Sequence, residues 1–163
     1  MGILFRNIYS WFQELYGSYL YDYLKGWDCA SSTISNSNQF LTIGIITLLI
    51  TLTIVLIYYY GIRHPRFAKW WVWIIFLFSA GAINLIYGFS VTNTKLQSGQ
   101  IDNCLLYNTV YDAQGNVAQQ AQLIFSSNCW GFGIANMIVS ILMFIIISFC
   151  VKWWSRDAKY SPF

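Results

Sequence analysis

The chain has 163 residues, of which 57% are hydrophobic and only 9% are charged. Soluble domains usually carry about 25% charged residues, so this composition excludes an ordinary soluble protein and favours an integral membrane protein. The length suits one compact bundle. A single histidine and the absence of any CxxC pair argue against a metal site. The few basic residues flank apolar segments, which is typical of membrane topology and does not indicate nucleic-acid binding.

The first 27 residues have the pattern of an amphipathic helix. Apolar side chains recur every three or four positions along one side, at Leu4, Ile8, Phe12, Leu15, Tyr19 and Tyr23. We expect this helix to lie along the membrane surface, with its apolar side either on lipid or on protein. Residues 28–39 form a polar linker with helix-capping residues at its end.

Three charge-free apolar stretches follow, at residues 40–60, 70–91 and 131–151. A helix of about 20 residues crosses roughly 30 Å, the thickness of the hydrocarbon core. The sequence therefore predicts an all-α integral membrane protein with three transmembrane helices. A basic link at 61–69 joins the first two, a loop at 92–130 joins the second to the third, and a basic tail covers 152–163.

The basic residues predict the orientation of the spans. The link and the tail together contain six of them, against three in the other two non-membrane segments: Arg63, Arg66, Lys69, Lys152, Arg156 and Lys159. The positive-inside rule places the link and the C-terminus in the cytoplasm. The N-terminus and the 92–130 loop are then expected outside, in the periplasm if the membrane is a bacterial inner membrane.

The external loop contains two short β-type runs between Cys104 and Cys129, separated by the turn-forming residues 112–116. This spacing predicts a β-hairpin closed at its base by a Cys104–Cys129 disulfide. An isolated hairpin is marginally stable, and disulfides persist in oxidising compartments, so an external clasp has a physical reason. Cys29 is expected on the same side and is a rival partner, and two reduced cysteines remain an alternative.

Small and mildly polar residues lie within the spans: Gly44, Thr47, Thr51, Gly81, Asn84, Gly133 and Asn136. Small residues allow close helix packing, and amides can hydrogen-bond between helices. The same groups could instead line a pore or a small-ligand site. The sequence favours packing and leaves the second interpretation open.

The spans contain no ionisable residue, which argues against a proton pump or an ion-coupled transporter. We also find no nucleophile–base pair, carboxylate cluster or cofactor motif, and therefore expect neither an enzyme nor a cofactor. The sequence favours a non-catalytic structural or accessory subunit of a membrane assembly, such as a secretion or envelope complex, surrounded by lipid and bound to other subunits or to copies of itself. The alternative is a homo-oligomeric pore, because the three-span layout resembles that of one class of holins.

Overall fold

A computed structural model of the chain describes residues 2–29, 33–34, 38–61, 70–111 and 117–152. In chain order its elements are α1 (Gly2–Ser10), α2 (Gln13–Tyr16), α3 (Ser18–Lys25), β1 (Trp27–Asp28), β2 (Thr33–Ile34), α4 (Gln39–Leu56), α5 (Trp70–Gln97), α6 (Asn103–Leu106), β3 (Tyr107–Tyr111), β4 (Val117–Gln122) and α7 (Ser126–Lys152). A π-helical turn, Ile57–Gly61, continues α4.

The three predicted spans are confirmed. The segments Gln39–Tyr60, Trp70–Gln97 and Ser126–Lys152 are long and apolar enough to cross a membrane, with mean hydropathies of 2.8, 1.9 and 2.7. The most extensive contact among the described helices joins α5 to α7, and α4 packs on both. The protein is an integral membrane protein built on a three-helix bundle.

Two of the helices extend beyond the predicted limits of the membrane segments. Helix α5 continues past Val91 to Gln97, and α7 begins at Ser126, before Gly131. Hydropathy indicates where the chain leaves the hydrocarbon core of the membrane. A helix can continue beyond that point into water as long as its backbone N–H and C=O groups remain hydrogen-bonded. The Asn128 side-chain oxygen, for example, accepts a hydrogen bond of 2.8 Å from the Phe125 amide where α7 begins. The segment outside α5 and α7 is therefore shorter than the predicted loop, covering 98–125.

The N-terminal segment consists of three short helices where the sequence predicts one. Gly17 separates α2 from α3 with a φ of +86°, a conformation that favours glycine. The side that packs on the bundle is also displaced by about one residue from the predicted apolar side, and it buries Phe5, Tyr9, Tyr16, Leu20 and Leu24. Of the predicted apolar side, Tyr23 is buried, Ile8 and Phe12 are half-buried, and Leu4, Leu15 and Tyr19 are exposed. The segment thus has two adjoining apolar sides, of which one packs on protein.

The N-terminal segment and the segment between α5 and α7 lie together at one end of the bundle. We call the described residues 2–29, 98–111 and 117–125 the cap. It covers the end where α4 and α7 begin and α5 finishes. Lys152 is the last residue of α7, at the opposite end. The other five predicted topology determinants (Arg63, Arg66, Lys69, Arg156 and Lys159) lie outside the described residues.

The predicted hairpin is present in the cap. Strands β3 and β4 pair antiparallel, with Tyr107 opposite Gln122 and an irregularity between Val110 and Tyr111. The predicted turn at 112–116 lies outside the described residues. A shorter antiparallel pair, β1 with β2, joins Trp27, the last residue of the predicted amphipathic helix, and Asp28 to residues 33–34 of the predicted polar linker.

The predicted Cys104–Cys129 disulfide is wrong, because Cys104 is bonded to Cys29. The Cα atoms of Cys29 and Cys104 are 6.5 Å apart, within the range that a disulfide bridges. Cys129 is a fully buried thiol that forms no disulfide. It lies within α7, because this helix begins at Ser126 and not at the predicted Gly131. The bond therefore joins the N-terminal segment to α6, across 75 residues of chain, and links the two parts of the cap covalently.

Candidate functional site

A network of polar side chains lies inside the bundle, and Asn136 of α7 is its centre. The Asn136 side-chain oxygen accepts hydrogen bonds from the Tyr9 hydroxyl at 2.5 Å and the Thr47 hydroxyl at 3.0 Å. Its amide nitrogen donates to the Asn84 backbone carbonyl at 2.7 Å. One fully buried side chain thus connects α1, α4, α5 and α7.

Asn84 extends the network on α5. Its amide nitrogen donates to the Ala80 carbonyl at 2.9 Å and to the Thr51 hydroxyl at 3.3 Å. The Thr51 hydroxyl in turn donates to the Thr47 carbonyl at 2.8 Å. The side-chain oxygen of Asn84 is buried and has no hydrogen-bond partner among the described residues. Asn84 is therefore only partly satisfied, in contrast to Asn136.

Glycines let α5 and α7 approach closely around the network. A Cβ built at Gly81 would lie 3.1 Å from the Met137 side chain, and one at Gly88 would lie 3.0 Å from Cβ of Asn136. A Cβ at Gly133 would lie 3.0 Å from the Leu85 carbonyl oxygen. These distances are tighter than ordinary van der Waals contacts. Small residues at helix crossings are a recurrent feature of membrane bundles, because they allow backbones to approach.

Two other glycines receive the N-terminal segment. A Cβ at Gly44 of α4 would collide with the Phe5 ring, and a Cβ at Gly131 of α7 would collide with the Leu15 carbonyl oxygen. The Asn128 side chain adds a hydrogen bond of 3.0 Å to the Tyr16 carbonyl. The side of α4 around Gly44 is therefore occupied by helix α1 of the same chain.

Aromatic rings surround the point where Tyr9 enters the bundle. The Tyr9 ring stacks on Phe40 with centroids 5.3 Å apart and on Phe132 at 5.5 Å, and Tyr16 meets Phe132 edge-on at 5.3 Å. Tyr16 donates a hydrogen bond of 3.0 Å to the Tyr9 carbonyl. Burial raises the pKa of both tyrosines, so their hydroxyls remain neutral donors.

A second, smaller polar contact lies near the opposite end of the bundle. The Ser148 hydroxyl is 2.8 Å from the Tyr59 hydroxyl and accepts a hydrogen bond of 2.9 Å from the indole nitrogen of Trp73. Each of these three residues belongs to a different span. The bundle is therefore connected by side-chain hydrogen bonds near both of its ends.

The structure brings together most of the polar and small positions predicted in the spans. Thr47, Thr51, Gly81, Asn84, Gly133 and Asn136 lie at the contacts between α4, α5 and α7, whereas Gly44 faces α1. Sequence reasoning missed the roles of Phe5 and Tyr9. A signal was present, since Phe5, Tyr9, Tyr16 and Leu20 also follow a helical spacing.

The network consists of neutral amides and hydroxyls, which hold helices in register by directional bonds. Every polar group named in it is paired within one chain except the Asn84 side-chain oxygen. Searches of protein-family models, curated proteins and solved structures find no match to the chain.

Proposed function

We propose that the chain is a non-catalytic structural or accessory subunit of a larger membrane assembly. The observation that carries this proposal is the docking of the cap into the spans. Tyr9 enters the hydrogen-bond network of Asn136, and the Cys29–Cys104 bond joins the two halves of the cap. Such an arrangement gives a rigid element that offers a fixed surface at one end of the bundle.

The alternative function is a homo-oligomeric pore of the holin type. A water-filled pore needs polar side chains that face its lumen. Thr47, Thr51, Asn84 and Asn136 are all fully buried within one chain, where they bond to one another. Lining a pore with them would require the bundle to open and these hydrogen bonds to break. This cost favours the subunit over the pore.

We further propose that the cap is on the outer side of a bacterial inner membrane and that the C-terminus is cytoplasmic. A disulfide within the cap supports this orientation, because such bonds persist in the periplasm and are rare in the cytosol. The excess of basic residues in the 61–69 link and the C-terminal tail supports the same orientation.

Photo-crosslinking in the native membrane tests the proposed function. A photoreactive residue replaces Gln120, which is exposed on β4 of the cap, and a matched control replaces Ile146, which is exposed on α7 within the span. We expect Gln120 to give a discrete adduct with a different protein and Ile146 to give none. A ladder of adducts at multiples of the chain's own mass would instead support the pore, and no adduct from Gln120 would contradict the subunit.

A further inference from the structure

Aromatic pairs at two levels of the bundle mark the boundaries of the hydrocarbon core. The exposed Trp70 and Trp71 rings at the start of α5 have centroids 3.9 Å apart, and Phe89 stacks on the exposed Trp130 of α7 at 4.3 Å. Such rings are enriched where lipid tails meet headgroups. Trp71 and Phe89 are 18 residues apart on α5, which corresponds to about 27 Å of helix and is close to the roughly 30 Å core. The Phe89–Trp130 pair therefore marks the boundary on the side of the cap.

Helix α1 makes its contacts below this boundary. The Tyr9 hydroxyl bonds to Asn136, which lies six residues past the boundary on α7 and is therefore about 9 Å deeper. Thr47 bonds to the same oxygen and lies at the same depth. Gly44, which receives the Phe5 ring, precedes Thr47 by three residues on α4 and is about 5 Å shallower. Helix α1 consequently packs roughly 4–9 Å inside the core, which is the depth that interfacial helices reach.

The side of α1 that faces away from the bundle is largely apolar. Ile3 and Leu4 are exposed, and Trp11, just after α1, is 78% exposed, the largest fraction for a large hydrophobic side chain among the described residues. Ile45 of α4 and Ile134 of α7 are exposed residues of the spans, each about 6 Å inside the boundary. The exposed side of α1 is therefore at the same depth as the lipid-facing surface of the spans.

The polar groups of this segment are compatible with such a depth. At the break between α1 and α2, the amides of Trp11 and Phe12 donate to carbonyls of α1 at 3.3 and 3.0 Å, and the Ser10 hydroxyl donates to another at 2.7 Å. This matters because unpaired backbone groups are costly in lipid. Arg6 is the one charged residue of α1, and its long side chain can extend to the headgroups. Asn7 adds one exposed amide, which suits a helix near the headgroups better than one at the bilayer centre.

We propose that the exposed side of α1, together with Trp11, contacts the lipid acyl chains of the leaflet on the side of the cap, just below the headgroups. The N-terminal segment is then a fourth membrane-embedded element, which enters one leaflet only and packs its other side on α4 and α7. This proposal depends neither on the orientation of the protein nor on its role as a subunit. Water and protein are the other possible occupants of this surface, and the following experiments distinguish them.

Spin-label accessibility measures both the depth of α1 and what covers it. Cys129 and Cys150 are replaced with serine, a single cysteine replaces Leu4 and is labelled, and the full chain is reconstituted into vesicles of dioleoylphosphatidylcholine. We expect oxygen, which dissolves in lipid tails, to relax this label severalfold more than a water-soluble nickel complex does. We expect its depth to equal that of a label at Ile134. The control label at Gln120, exposed in the cap, should respond mainly to nickel.

Two results would overturn the proposal. If nickel relaxes the Leu4 label as strongly as the Gln120 label, the exposed side of α1 lies in water. If the Leu4 label is immobilised and shielded from both reagents, protein covers this side, and in vesicles of the purified chain that protein is a second copy. An intact Cys29–Cys104 bond in each labelled variant shows that the cap has folded.

A photoreactive lipid repeats the test on the chain without any substitution. A phosphatidylcholine with a diazirine in the upper part of one acyl chain is mixed into the same vesicles and activated by light. We expect lipid adducts on peptides that contain Ile3, Leu4 and Trp11, and also on the α7 peptide that contains Ile134, which serves as the positive control. Adducts on α7 without adducts on residues 2–16 would contradict the proposal.

Discussion

Asn136 and Asn84 are both fully buried amides, but only in Asn136 do both polar side-chain atoms form hydrogen bonds. Asn136 accepts two hydrogen bonds from other helices and donates one to the Asn84 backbone. Asn84 donates two bonds and leaves its own oxygen unpaired. An unpaired buried oxygen costs free energy that offsets part of the gain from the donated bonds. At the scale of single residues, the stability of the bundle therefore depends more on Asn136.

Replacing Asn136 with leucine should destabilise the protein more than replacing Asn84. Interhelical hydrogen bonds in membranes average about 0.6 kcal/mol, so three lost bonds amount to roughly 2 kcal/mol. We expect Asn136→Leu to lower the melting temperature in detergent by about 4–8 °C and Asn84→Leu to lower it by less. The control is Thr53→Val, since the exposed Thr53 hydroxyl bonds only within α4. Equal melting temperatures for the Asn136 variant and the control would contradict a packing role.

Removing only the Tyr9 hydroxyl tests the contact between α1 and the network. Tyr9→Phe keeps the ring contacts with Phe40 and Phe132 and loses the bond to Asn136. We expect the free energy of unfolding to fall by about 1 kcal/mol, as measured by denaturant titration of the purified protein. Tyr19→Phe, at an exposed position on α3, is the control and should have no effect.

At the scale of elements, the central feature is that the N-terminal helices belong to the bundle. Helix α1 packs on α4 and α7, and α2 packs on α7, through close approaches at Gly44 and Gly131. The disulfide adds a covalent restraint from Cys29 to α6. The exposed apolar side chains of this segment, among them Leu4, Trp11 and Leu15, lie on the side away from the bundle. The N-terminal segment therefore packs on the bundle with one side and exposes apolar side chains on the other.

Introducing a large side chain at Gly44 should displace α1. In Gly44→Leu the new side chain would occupy the place of the Phe5 ring, so α1 loses the contact between Phe5 and α4. We expect the amides of residues 3–10 to exchange hydrogen much faster, while those of α5 and α7 stay protected. Ile45→Phe, at the exposed neighbouring position, is the control. Unchanged exchange in α1 of the Gly44 variant would mean that this contact does not hold the helix.

Cysteine replacement tests the pairing found in the cap. Cys129→Ser should leave the disulfide intact, whereas Cys104→Ser should leave Cys29 reduced. Closing a loop of this length stabilises the folded state by about 4–5 kcal/mol in the chain-entropy model, so the Cys104 variant should also unfold more easily. Mass spectrometry of peptides from the alkylated, non-reduced protein measures the pairing. A peptide linking Cys104 to Cys129 would contradict it.

At the scale of the whole molecule, the three spans form a bundle whose interior is occupied by its own side chains. Phe144, Val139 and Val55 are fully or almost fully buried together with the polar network. The contacts that a homo-oligomer would have to supply for Gly44, Thr47 and Asn136 are already made within one chain. These positions therefore need no second copy of the chain to bury them.

The protein expressed alone should accordingly be a monomer in detergent. We expect size-exclusion chromatography with light scattering to give the protein mass of one chain, 18.9 kDa, after subtraction of detergent. Gly44→Leu should leave this mass unchanged, since Gly44 contacts α1 of the same chain. A discrete ring of several copies would contradict the subunit and support the pore.

The sequence by itself determined the three spans and the hairpin. Length, hydropathy and alternating strand patterns are local properties, and each is readable within a window of a few to about 20 residues. Tertiary structure alone decided the partner of Cys104, the neighbour of Gly44 and the buried side of the N-terminal segment. Each of these depends on which distant segments meet in space. The row Leu4, Leu15 and Tyr19 and the row Phe5, Tyr9 and Tyr16 are both apolar, so periodicity does not distinguish them. The distinction arises from tertiary contacts, because the Phe5 ring packs against Gly44 and the Tyr9 hydroxyl donates to the Asn136 side-chain oxygen.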